Sequence, residues 1–163
     1  MATTRHTERK VVAFAPRQLF DLVADVPRYP EFLPWCTAAR IRRREAPNVE
    51  VDEVAIGFGP FHEKFVSRVT LVPDDPDRLR IETVGIEGPF RILSSHWTFQ
   101  PHPDGTVIDF SLEFEFRSRI LQHTVRVLFA EAVKRMVAAF EARARQLYGE
   151  PTAQPATRAT QAR

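Results

Sequence analysis

Hydrophobic positions change period along this chain of 163 residues. From about Cys36 to Arg117 they recur at every second residue, the period of a half-buried strand. The plainest case comes last in that stretch: Ile108, Phe110, Leu112, Phe114 and Phe116 share one face, and Asp109, Ser111, Glu113 and Glu115 the other. Before it, Leu93, Trp97 and Phe99 mark a strand closed by the turn Pro101 to Gly105, and Leu79, Ile81 and Thr83 mark another. Phe61, Phe65, Val69 and Leu71 mark a strand ended by Pro73-Asp74-Asp75-Pro76-Asp77. Val49 to Phe58 alternates with a change of parity, from Val49 and Val51 to Val54, Ile56 and Phe58, which predicts a β-bulge near Asp52-Glu53. Thr37 to Glu45 is basic and reads as an edge strand.

Helical spacing brackets this region. Thr7 to Phe14 reads as a first strand, followed by a short helix over Arg17 to Asp25 with Pro16 in its first turn, and by a second helical piece over Arg28 to Leu33. After Ser118, Leu121, Val125, Leu128, Phe129, Ala132, Val133, Met136, Val137, Phe140, Ala144 and Leu147 form a broad stripe at period 3.6, which predicts one long helix to Tyr148 with Gly149 as its stop. Only that helix is long enough to cover the apolar face of the sheet. The expected fold is α+β: a curved antiparallel sheet of about seven strands wrapped around a long C-terminal helix, with two short helices after the first strand. Residues 1–149 make one domain. Residues 150–163 lack apolar periodicity and are expected to form a disordered tail.

Composition sharpens the picture of the interior. Thirteen Phe stand against two Tyr and two Trp, so the core carries bulk without polar handles. Such an interior is either a filled Phe-rich core or the wall of an apolar cavity, and sequence does not separate the two. One cysteine, Cys36, excludes an intrachain disulfide. The five His residues lack metal-ligand spacing. No apolar run reaches the length of a membrane span, and no apolar signal segment opens the chain, so a cytoplasmic place is expected, free or on the inner face of a membrane. A net charge of +2 is compatible with an anionic partner without requiring one.

The string Tyr29-Pro30-Glu31-Phe32-Leu33-Pro34-Trp35-Cys36 is the most distinctive in the chain. Together with Gly88-Pro89-Phe90-Arg91, Trp97-Thr98-Phe99, Phe110 to Ser118, and Phe129 with Met136 to Ala144, it resembles the coenzyme-Q-binding branch of the START-like, helix-grip family, which includes bacterial RatA-type proteins. The likeness runs from about residue 7 to 148. It implies a cavity between sheet and helix, with ubiquinone or a similar polyprenyl lipid as bound ligand, no required cofactor, and a role in respiration as carrier or chaperone rather than enzyme. The absence of an extended targeting region before the first strand points to a bacterial member. An alternative within the same likeness is a RatA-type protein that meets the large ribosomal subunit. A second alternative is a cyclase- or aromatase-like enzyme.

On this reading the cavity or its lip is built from Phe32, Leu33, Pro34, Trp35, Phe58, Phe61, Phe65, Phe90, Leu93, Trp97, Phe110, Leu128, Val133, Met136 and Phe140. The two prolines of the Tyr29–Cys36 string stiffen a loop that serves as a plug of the core, a gate, or both. Hydrogen-bond donors for a quinone head are sought among His62, Ser67, Thr83, Ser95 and His96. Cys36 matches no nucleophile motif. Glu63 and His62 could serve proton transfer in a cyclase, but neighbours on a strand face opposite ways. Arg40, Arg42, Arg43 and Arg44 on the edge strand, and Arg117, Arg119 and Arg126 near the start of the long helix, either guard the sheet against edge pairing or meet phosphate on lipid or ribosomal RNA. No DNA-binding motif is present, and no RNP-type element supports the RNA reading.

Overall fold

The computed structural model describes residues 2–150. Seven strands follow the alternating segments: β1 (Thr4–Val12), β2 (Cys36–Ala46), β3 (Val49–Phe58), β4 (Phe61–Val72), β5 (Leu79–Glu87), β6 (Phe90–His102) and β7 (Gly105–Phe116). They form one antiparallel sheet in the order β1-β7-β6-β5-β4-β3-β2. Consecutive strands from β2 to β7 are joined by two-residue turns, except for the longer connection 73–78 between β4 and β5, so neighbours in sequence are neighbours in space. The chain crosses once from one edge of the sheet to the other, between β1 and β2. Helix α1 (Pro16–Ala24) and the 3₁₀ segment Val26–Glu31 make that crossing. Leu19, Phe20, Leu22 and Val23 of α1 are buried, with the helix set against β5, β6 and the C-terminal helix. Gly105 opens β7 under the end of β1. Its φ of +133° and the 2.3 Å that would separate a Cβ from the Val12 carbonyl oxygen leave room for glycine alone.

Three expectations are corrected. First, β1 starts earlier than Thr7, because Thr4 to His6 already pair with Phe114 to Leu112. Second, β3 carries no bulge. It pairs without a break against β4 from Val49 to Phe58, and the irregularities lie in β2, between Cys36 and Ala38, Ile41 and Arg43, and Arg44 and Ala46. The change of parity in β3 has another cause. Glu50 and Asp52 share the inward face with Val54 and Ile56, and both acids are buried.

Third, the C-terminal helix is three segments: α2 (Arg119–Thr124), α3 (Arg126–Lys134) and α4 (Met136–Tyr148). At the second break the Arg135 N–H donates to the Ala132 carbonyl, a three-residue step that tightens the turn. No Pro or Gly stands between 118 and 148, so the periodicity carries no sign of either break. Ser118 caps α2, accepting from the backbone N–H groups of Ile120 and Leu121. The expected tail, beyond Glu150, lies outside the described residues.

Candidate functional site

A cavity of about 100 Å³ lies between the inward face of the sheet and the helices. Its volume is several times what one water needs and smaller than the roughly 300–1,000 Å³ of pockets for drug-sized ligands. The interior around it is therefore largely filled, with this hollow left between sheet and helices.

The aromatic part of the wall comes from every layer. Trp97 packs on Phe110 with ring centres 4.3 Å apart and edge-on to Phe140 at 5.3 Å. Trp35 meets Phe129 edge-on at 6.1 Å. Of the fifteen expected cavity or lip residues, Trp35, Phe65, Leu93, Trp97, Phe110, Met136 and Phe140 line the hollow. Six others pack around it without facing it. Leu33, Phe90 and Val133 are buried core, while Phe32, Phe58 and Phe61 are half-buried against that core. Phe32 closes over Phe140 and Tyr29, and Phe58 stacks on Trp35. The Tyr29–Cys36 loop thus plugs one end of the core, with Trp35 reaching the cavity.

Two expected residues turn away. Pro34 is exposed, as the outer corner of the loop whose neighbours point in. Leu128 is 47% exposed. The buried stripe runs through Val125, Phe129, Val133, Met136, Val137, Phe140 and Ala144, and Leu128 lies about a third of a turn off its centre. Phe129, on that stripe, lines the cavity instead.

The polar part of the wall is a row that crosses the sheet. Asp52 pairs with Ser67 across β3 and β4, and Thr83 pairs with Ser95 across β5 and β6. All four line the cavity. Three of the five residues considered as donors, Ser67, Thr83 and Ser95, therefore line the cavity. His62 and His96 sit at the opposite parity and are exposed on the outer face. Asp52 was not anticipated, since the supposed bulge hid its parity. The signal was there: residues 50, 52, 54, 56 and 58 share one face in an unbroken strand.

Asp52 is an unusual wall residue. It is 1% exposed, and no donor reaches either carboxyl oxygen; the Ser67 hydroxyl and one Glu50 oxygen are also buried without a partner. Burial away from water, reinforced by the neighbouring Glu50 carboxyl, pushes Asp52 up to about 8. Glu50 holds Arg44 at 2.9 Å. Tyr29 is satisfied by donating to the Val23 carbonyl at 2.5 Å. Burial also pushes the Cys36 thiol up to about 11, which keeps it from being a thiolate at neutral pH.

Outside the cavity, the β2 arginines meet carboxylates. Arg40 and Arg42 both bind Glu53, Arg43 binds Glu45, and Arg44 binds Glu50. Arg119, Arg126 and Arg135 have no acid within 4.0 Å among the described residues. Glu63 is half-buried and His62 exposed, so the pair presents no joint proton relay to the cavity. Among the described residues no group of three His, Cys, Asp or Glu is placed to hold a metal ion. No described helix is long and apolar enough to cross a membrane.

Known proteins are similar to this chain in sequence and fold. The family model described as polyketide cyclase/dehydrase and lipid transport matches residues 12–141. The ribosome association toxin RatA of Rickettsia prowazekii is 40% identical over 147 residues, 90% of this chain and 99% of that protein. The mitochondrial coenzyme Q-binding protein COQ10 homolog B of Xenopus laevis is 36% identical over 149 residues, 88% of this chain and 59% of that protein. Among solved structures, an 18 kDa protein of Caulobacter crescentus superposes with a TM-score of 0.70 at 38% identity, covering 90% of this chain and 99% of that one.

Proposed function

Because this chain belongs to the polyketide cyclase/dehydrase and lipid transport family, we propose that it binds a ring-bearing lipid of the polyprenyl-quinone type between sheet and helices. On this reading it acts as a carrier or chaperone, without chemistry on the ligand. The observation that supports it is one apolar cavity walled by aromatic rings and crossed by a short polar row. Rings suit a planar head, and each buried CH₂ of a tail adds about 0.8 kcal/mol. The cavity volume suits one end of such a ligand, so a long tail has to leave at the rim or part the side chains. The COQ10 relative's name supports the quinone class. The test is organic extraction of protein purified from a membrane-containing host, read by UV absorbance and mass spectrometry. Recovery of a prenyl quinone is expected. Protein that carries none and takes up none when it is supplied overturns the reading.

A second reading is association with the ribosome, and the likenesses taken alone favour it. The RatA relative matches end to end, whereas this chain spans 59% of the COQ10 relative. Phosphate would be met by Arg119, Arg126 and Arg135 rather than by the β2 arginines, whose charge is already matched. Co-sedimentation with the large subunit, weakening as salt rises, is the expected behaviour. No ribosomal fraction at low salt sinks it. The two readings are not exclusive, since one uses the interior and the other the surface.

A further inference from the structure

The polar row in the cavity has the composition of a hydrogen-bond donor site rather than an ion site. Ser67, Thr83 and Ser95 bring hydroxyls. Asp52 brings a carboxyl whose two oxygens are buried without a partner. No cationic side chain lines the cavity, and Arg44 already offsets the charge of Glu50. A carboxylate left alone in such a place would be an unpaired buried charge, which costs several kcal/mol. A carboxylic acid there is neutral, and its proton lies within reach of the neighbouring Glu50 carboxyl, so a ligand carbonyl has to take that hydrogen bond over.

We propose that Asp52 is the polar anchor of the ligand, donating its carboxyl proton in a hydrogen bond to a carbonyl oxygen on a planar ring. Ser67, directly across the β3–β4 pair, supplies a second donor to the same oxygen. The aromatic walls around Trp97 and Phe140 hold the ring. This rests on the lipid-binding reading and names the chemistry its ligand must present. The groups facing Asp52 all bear on its proton. Glu50 on its own strand raises its affinity, and the charge of Arg44 on β2 lowers it. Tyr29, from the 3₁₀ segment, is close enough to feel the Asp52 charge. The result is an acid that stays protonated through neutral pH, up to about 8.

The test is isothermal titration of the full chain with decylubiquinone delivered from cyclodextrin, with decylbenzene as the carbonyl-free control and dodecylammonium as the cationic control. Wild type should bind the quinone at least tenfold more tightly than decylbenzene, and dodecylammonium more weakly than either. Asp52→Leu should lose tenfold or more in quinone affinity while its affinity for decylbenzene holds. Asp52→Asn keeps a donor and should stay within about threefold at pH 7. Raising the pH from 7 to 9.5 should weaken wild type and leave Asp52→Asn flat. Circular dichroism and the melting curve show that each variant is folded. Equal affinity of wild type for quinone and decylbenzene overturns this inference and leaves the lipid reading standing. Dodecylammonium as the tightest ligand, lost in Asp52→Asn, overturns it in favour of a cation site. Failure of wild type to bind either uncharged probe overturns the lipid reading and this inference with it.

Discussion

Asp52 and Glu53 are consecutive residues of one strand, and the sheet sends them to opposite worlds. Glu53 faces outward, accepts from Arg40 at 2.9 Å and from Arg42 at 2.7 Å, and is pulled down to about 2 by those guanidinium groups. Asp52 faces inward, where no donor reaches its carboxylate, and is pushed up to about 8 by burial and by the hydrogen bond and charge of Glu50. The same functional group is thus an anion on one face and an acid on the other. The difference teaches that the outer face is built from matched charge, while the inner face keeps a small cluster of polar atoms, at Asp52, Ser67 and Glu50, unmatched. A buried polar atom without a partner destabilises a fold by about 1–3 kcal/mol. Its place on a cavity wall is where such an atom can meet a ligand.

The largest expected effect comes from forcing a further acid onto the inner face. Ile56→Asp buries a charge without a partner and should lose about 3–5 kcal/mol in urea unfolding at pH 8. The neighbouring Ala55→Asp, on the outer face, should stay within about 1 kcal/mol of wild type. Equal losses from the two would erase the contrast between faces.

Next comes the pH dependence of Asp52 itself. Its affinity for protons is higher folded than unfolded, so its contribution is greatest at low pH. That contribution is lost as pH rises from the ordinary value of 3.8 to about 8. Asp52→Asn removes this dependence and should gain about 1–3 kcal/mol over wild type at pH 8.5 relative to pH 5. A gain of the same size at both pH values would show that Asp52 does not titrate as described.

Arg44→Met then leaves Glu50, itself 2% exposed, without its cation. Arg44 is largely in solvent, so the loss should be about 1–2 kcal/mol, below that of a fully buried pair. Smallest is Glu53→Gln. The Glu53 pairs contribute above the ordinary value of 4.5, and that contribution fades as pH falls toward 2. Because its arginine partners reach solvent, added salt should shrink the effect of the substitution. A salt-independent effect would mean that the outer face is not the screened surface described.

Much of this arrangement is legible in the chain. The alternation in β7 fixes which residues face inward, and Phe110, Phe114 and Phe116 all do. The long stripe after Ser118 finds the helical layer. Two things escape. The breaks at Val125 and Arg135 come from backbone turns that no Pro or Gly announces. The inward acids escape because hydrophobic alternation assumes that charged residues mark the wet face. Where Glu50 and Asp52 break that assumption, a bulge explains the pattern as well as burial does. Only the unbroken pairing of β3 with β4 decides between them. Ser67, Thr83 and Ser95 share the parity of the inward apolar residues while His62 and His96 do not, a distinction left unused when all five are kept as candidates.

The chain has two tryptophans, and both stand on the cavity wall. Its intrinsic fluorescence therefore originates at the one place where a ligand is expected. An electron-accepting ring entering beside Trp97 would dim that emission with no dye attached. A partner docking on the outer arginines without entering the cavity brings no such ring beside Trp97 and should dim it far less. The protein carries its own lamp, set where interior occupancy and surface association can be told apart by eye.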